Sequence, residues 1–134
     1  MQETTRNWVK FEYAIGYRTL RKSYSHISIN KRGKIQLNSY LMEKLNFVAA
    51  VSLYYDRTTT SIGILPRERL DEDENALPII LRSDRRYGEI YALSFLRCYG
   101  IRIHNTLATN HVETTPEGML IVDLRHAYEV SSKQ

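Results

Sequence analysis

Six cations, Arg18, Arg21, Lys22, Lys31, Arg32 and Lys34, fall within seventeen positions, with Tyr17 and Tyr24 interleaved and no acidic residue between them. Such a cluster suits the neutralisation of phosphates, because Lys and Arg displace the counterions that a polyanion holds. Tyrosine adds a hydroxyl for backbone oxygens and a ring on which an exposed base can stack. On a duplex, Arg32 has the fork geometry to read guanine, with Lys31 and Lys34 setting register on phosphates. The plainer alternative is a solvated basic face. Charge is also unevenly spread along the chain: residues 1–67 carry 11 Lys+Arg against 4 Asp+Glu, or +7, whereas residues 68–134 carry 8 against 11, or −3. That polarity favours an anionic partner for the first half.

Other chemistry is less well marked. His104, His111 and Glu113 are three potential metal ligands, but their spacing enforces no convergence, so a surface or hydrogen-bonded histidine pair is the expected arrangement. Cys98 sits in an apolar helical pattern with no activating neighbour and reads as a small core residue. The sequence has no glycine-rich phosphate loop and no nucleophile elbow. Arg85 and Arg86 are flanked by Asp84 and Glu89, which points to local salt bridges or partner contacts. The acidic run Asp71-Glu72-Asp73-Glu74 reads as a solvated connector. A non-catalytic protein without cofactor or metal is therefore expected.

The elements that must position the cations follow from hydrophobic spacing. Trp8 to Tyr17 alternates as a strand, and Ile27 and Ile29 alternate with Ser28 and Asn30 before the turn Asn30-Lys31-Arg32-Gly33. Asn and Gly tolerate the positive φ of a tight reversal, and Lys34-Ile35-Gln36-Leu37 resumes the strand. Asn38 or Ser39 can cap a short helix carrying Leu41 and Leu45, with Asn46 at a left-handed end. Val48 to Tyr55 and Ser61 to Pro66 form a second hairpin about Asp56–Thr59. In the second half the spacing predicts a strand over Leu77–Leu81, a turn through Ser83–Gly88, a return at Glu89-Ile90, a helix over 92–99 and a strong strand over 119–124. Residues 102–118 read as a long loop with one strand at most.

Strand, turn, strand, helix and strand thus occur twice. Gly33-Lys34-Ile35 compares with Gly88-Glu89-Ile90, and Ser39-Tyr40-Leu41 with Ser94-Phe95-Leu96 at the same spacing. Two interlocking units from a duplication and one mixed α+β domain both fit this recurrence.

Residues 28–38 followed by Leu41-Met42-Glu43-Lys44-Leu45-Asn46-Phe47 resemble the AbrB/SpoVT-type swapped-hairpin proteins, including the MazE-like antitoxins. Val51–Asp56 with Ser61–Ile64 resembles the closing hairpin of that pattern. The resemblance covers about forty of 134 residues. It implies an interlocked β-barrel built from two units, usually two chains, that binds DNA through the basic hairpin turn. Lys31, Arg32 and Lys34 occupy that turn. Asn38-Ser39-Tyr40 stands where the family commonly has proline, and Asn46 where it commonly has glycine. A second, degenerate unit in the same chain can replace the dimer partner.

Size and composition set the frame. A chain of 134 residues with 43% hydrophobic content can bury one core. Ten tyrosines are expected mostly in sheets or core. No apolar stretch approaches the roughly 20 residues of a membrane span. The lone Cys98 and the polar Met1–Arg6 segment fit a cytoplasmic setting. The expected architecture is mainly β (α+β), a swapped-hairpin or double-psi-like barrel with two short helices. It divides into an N-terminal strand and basic arm (1–25), an AbrB-like unit (26–67), an acidic connector (68–76) and a degenerate second unit (77–134). The expected activity is that of a DNA-binding regulator or accessory factor, with DNA favoured over RNA as the partner and self-association into a homo-oligomer. The alternative is a protein-interaction module, either an antitoxin-like inhibitor or a subunit of a nucleoprotein complex.

Overall fold

The computed structural model describes residues 7–9, 24–82 and 87–130. The remainder of the strand expected over Trp8–Tyr17, the cations Arg18, Arg21 and Lys22, and the turn residues Arg85 and Arg86 lie outside the described residues. Trp8 and Val9 are both strongly exposed.

Eleven strands and two short helices follow one another in the described chain. They are β1 (Ile27–Ile29), β2 (Lys34–Leu37), α1 (Ser39–Lys44), β3 (Ala50–Asp56), β4 (Ser61–Arg67), β5 (Leu77–Pro78), β6 (Ile80–Arg82), β7 (Tyr87–Tyr91), α2 (Leu93–Cys98), β8 (Leu107–Thr109), β9 (Val112–Thr114), β10 (Leu120–Asp123) and β11 (Tyr128–Glu129). The protein is mainly β, as its alternating apolar pattern requires. The strands form two antiparallel sheets and not one closed barrel: β11-β8-β1-β2-β7-β6 and β5-β3-β4-β10-β9.

Both sheets mix the two halves of the chain. β2 pairs with β7 and β1 with β8 in the first sheet, while β4 pairs with β10 and β3 with β5 in the second. At the centre of the first sheet Ile35 lies opposite Ile90, with Ile29 the next partner of Ile35. One core cluster takes these isoleucines together with Ile62, Ile64, Leu120 and Val122 of the second sheet, and Leu41, Met42 and Leu96 of the helices. Period-two alternation places Lys34, Gln36, Glu89 and Tyr91 on the face of the first sheet turned from that core.

Two glycines let the halves interlock. Gly33 has φ +86°, and a Cβ there would stand 2.7 Å from the backbone of Leu93, at the start of α2. The Gly33 carbonyl accepts from Ala92 N at 2.8 Å, tying the first turn to the second helix. Conversely, a Cβ on Gly88 would stand 2.7 Å from Met42 of α1. Each half therefore presses a glycine against the helix of the other.

Several local expectations differ from what the fold adopts. Residues 102–118 hold two strands, β8 and β9, because the Leu107-Ala108-Thr109 segment completes β1 and the Val112-Glu113-Thr114 segment completes β10; three-residue strands are too short to leave a readable alternation. Cys98 is exposed and not a core residue, since α2 turns Leu96 inward and leaves its last residue to solvent. Within the acidic connector Asp71, Glu72 and Glu74 are exposed, but Asp73 accepts from Ser52 Oγ at 2.6 Å, and Ser52 in turn accepts from Arg67 Nε at 2.8 Å. Asn38, one of the two candidate caps, does cap α1, accepting from Leu41 N at 3.1 Å, and Asn46 takes φ 56°.

Gly33→Ala is expected to lower stability by about 2–3 kcal/mol, combining left-handed strain with a backbone clash. Gly100→Ala, equally left-handed but with nothing within 4 Å, should cost only about 1 kcal/mol; urea unfolding midpoints of the two variants check the difference.

Candidate nucleic-acid interface

The β1–β2 turn is a rigid platform. Asn30 Oδ1 accepts from the backbone N–H of Arg32 at 2.9 Å and of Lys34 at 3.0 Å. Gly33 N donates to the Asn30 carbonyl at 3.0 Å and Asn30 N to the Lys34 carbonyl at 3.1 Å, closing the reversal. Asn is chosen because its short side chain can satisfy two turn amides at once, and Gly because only its backbone fits φ +86° against α2. Lys31 and Arg32 at the tip are exposed, and neither forms an ion pair with a described residue.

Lys34 has a different environment. Its Nζ lies 3.3 Å from Glu89 Oε2, while Glu89 Oε1 accepts from Arg82 Nε at 3.0 Å and from the Tyr91 hydroxyl at 2.9 Å. The Glu89 side chain is 6% exposed. Burial alone pushes its carboxyl up, but the hydrogen bonds from Arg82, Tyr91 and Lys34 outweigh it and hold the group below the usual carboxylate range. The expectation that Lys34 serves phosphates thus meets a charge already satisfied inside the fold. The pairing partner on which this depends, Glu89, lies fifty-five positions away in the sequence, counting 89 − 34.

The turn also forms one wall of a cleft of about 390 Å³, with Asn30, Lys31 and Arg32 facing His104, Asn105 and Thr106, and Val130 closing the side. Strand order builds it. Ile29 lies opposite Leu107 in the β1–β8 pair, and Leu107 lies opposite Glu129 in the β8–β11 pair, so the residues just outside these three strand ends meet at one end of the sheet. Val130 N donates to the Thr106 carbonyl at 2.7 Å. Among the described residues no carboxylate lines this cleft, although Glu129 Oε1 accepts from the lining residue Asn105 through Nδ2 at 3.3 Å. Sequence reasoning missed Asn105 and Thr106, whose only local signal is their position in a polar stretch just before a strand.

The three residues weighed as metal ligands separate. His104 lines the cleft, whereas His111 and Glu113 lie beside the second sheet with His111 Nε2 3.7 Å from Glu113 Oε2. His111 stacks near His126, ring centroids 5.6 Å apart, and His126 Nε2 lies 3.5 Å from Asp123 Oδ2. Asp123 also receives both Nε and Nη2 of Arg125, at 3.0 and 2.7 Å. The Arg125 guanidinium lowers the Asp123 carboxyl to about 2. Among the described residues no group of three or more His, Cys, Asp and Glu side chains is placed to hold a metal ion.

Comparison with protein-family models, curated proteins and solved structures gives no match.

Glu89→Ala should lower stability by about 2–3 kcal/mol, since it strands two half-exposed cations, whereas Lys34→Ala should cost about 1 kcal/mol because Arg82 and Tyr91 still serve the carboxylate. Chemical denaturation of both variants and of the double variant measures the coupling. The Glu89 and Asp123 carboxyls titrate lower in the folded chain than in the unfolded one, so their stabilisation is present above the unfolded value of about 4 and is lost as pH falls through the folded values. Thermal midpoints should therefore drop below about pH 4, and Asp123→Asn should flatten part of that decline.

Proposed function

We propose that this chain is a non-catalytic nucleic-acid-binding protein, a DNA-binding regulator or DNA-associated accessory factor, that engages phosphates through Lys31 and Arg32. The observation that carries this reading is the pair of exposed cations at the tip of a turn held from behind by α2 and from within by Asn30. A backbone already fixed in the turn spares that part of the ordering cost of binding, leaving only the Lys31 and Arg32 side chains to be ordered by the anion. Arg18, Arg21 and Lys22 extend the same basic run in sequence and are further candidates. Lys34 is assigned a supporting role through Glu89.

The swapped-hairpin resemblance belongs to the same proposal. A duplicated chain, with units at 26–67 and 77–134 joined by the 68–76 connector, would supply from one molecule what that family usually builds from two. The mixing of both halves in both sheets and the reciprocal Gly33 and Gly88 contacts with the opposite helices support this account. No helix among the described residues is long and apolar enough to cross a membrane.

A second reading, that of a protein-interaction module, is favoured by one specific feature. Between α2, β3 and the connector lies a groove of about 600 Å³ lined by Leu53, Leu77, Phe95 and Tyr99. Tyr91, another lining residue, is 51% exposed. A partner protein burying that apolar surface would account for it.

Fluorescence anisotropy of the full chain with labelled DNA, titrated with salt, separates the two. Nucleic-acid binding is expected to give log affinity falling linearly with log salt, and Lys31→Ala or Arg32→Ala should each reduce the slope by about one. Salt-independent or undetectable binding at low ionic strength would remove the nucleic-acid reading.

A further inference from the structure

The shape of the cleft constrains what form of nucleic acid can enter it. A protein element that reads a duplex through its major groove must project, because the groove is only about 12 Å wide. Here Lys31 and Arg32 do not project alone. His104, Asn105 and Thr106 stand across from them, and Val130 bounds the remaining side. The turn side of the cleft is tied to α2, where the Gly33 carbonyl accepts from Ala92 N and a Cβ on Gly33 would meet the Leu93 backbone. The opposite wall is likewise tied through Thr106 to Val130.

We infer that this cleft accommodates a single unpaired nucleotide of a nucleic-acid strand, its phosphate on Lys31 and Arg32 and its base or sugar edge on His104, Asn105 and Thr106. The inference rests on the nucleic-acid reading above and narrows it to unpaired strands. Three features support it. First, the volume of about 390 Å³ is in the range of pockets that hold one small organic ligand, roughly 300–1,000 Å³. Second, the two walls differ in chemistry: one carries two permanent cations and the other an imidazole, a carboxamide and a hydroxyl, polar groups that can donate or accept. That division matches a nucleotide, which is anionic at one end and presents mixed donors and acceptors at the other. Third, among the described residues no carboxylate lines the cleft, and Glu129, which stands behind Asn105, is engaged by its Nδ2. Asn105 is held through Nδ2 by Glu129 at 3.3 Å, which leaves its Oδ1 available to accept from a base amine.

An unpaired strand offers what this site needs, because its bases can be splayed out and read on their edges, whereas in a duplex those edges are stacked and paired. A free mononucleotide carries the same chemistry and is distinguished by experiment.

The test uses the full chain and anisotropy at fixed low salt with three probes: a labelled single-stranded oligonucleotide of mixed sequence, the corresponding duplex, and unlabelled mononucleoside monophosphate as competitor. Single strand is expected to bind at least about tenfold tighter than duplex. Asn105→Ala and His104→Ala should each weaken single-strand binding about three- to tenfold, the worth of one hydrogen bond, without moving the unfolding midpoint or the weak duplex affinity. Lys31→Ala and Arg32→Ala should weaken both. Duplex affinity equal to or above that of single strand, with Asn105→Ala and His104→Ala indistinguishable from the parent, would overturn the inference while leaving the nucleic-acid reading intact. A mononucleotide that competes at the concentration at which the strand binds would assign the cleft to free nucleotides and overturn the strand as its ligand. Absence of binding to every probe would overturn both readings.

Discussion

The antiparallel pairing of β2 with β7 is the constraint on which the rest of the structure depends, and Glu89 is the residue that locks its register. On the inner side of this strand pair Ile35 meets Ile90 in the core; on the outer side Glu89 lies opposite Gln36 and reaches Lys34, Arg82 and Tyr91. A slip of one residue would exchange the two faces, burying an ionised carboxylate among isoleucines and exposing Ile90. Without the carboxylate, Lys34 on β2 and Arg82 on β6 would flank β7 as unbalanced cations. Hydrophobic burial drives the two halves together, and the ion network selects one alignment from those that burial alone would permit.

That alignment has consequences at the end of the sheet. Once β2 and β7 are in register, Ala92 follows β7 directly beneath Gly33, so the cationic turn acquires a backing that no local interaction supplies. Pairing of β1 with β8 then brings His104, Asn105 and Thr106 alongside Lys31 and Arg32. Two cations from the first half of the chain and three polar residues from the second thus line one cleft. The proposed binding role draws on this arrangement and not on net charge, which is modest at +4 for the whole chain.

The second sheet carries a separate polar cluster, in which Asp123 holds Arg125 and lies near His126, and His111 contacts Glu113. Asp123 also accepts from the Arg125 amide at the turn after β10, so the same carboxylate shapes the backbone and neutralises the guanidinium. His111 and His126 are thereby placed as surface groups, their side chains 65% and 59% exposed.

Local chemistry alone determined the Asn30–Gly33 reversal, the Asn38 cap of α1, the left-handed Asn46 and the alternation that buries Ile27, Ile29, Ile35 and Leu37. Each depends on residues within about four positions of one another, where turn geometry, capping and period-two spacing leave a direct imprint. The tertiary structure decided the remainder: that Lys34 answers to Glu89, that Gly33 must be glycine because of Leu93, that Asp73 leaves the connector to meet Ser52, and that residues 104–106 complete the cleft. Those pairings span long separations in the chain and follow from which strands become neighbours. A linear pattern of hydrophobic and polar residues records the face on which a side chain lies but not the strand that will stand beside it.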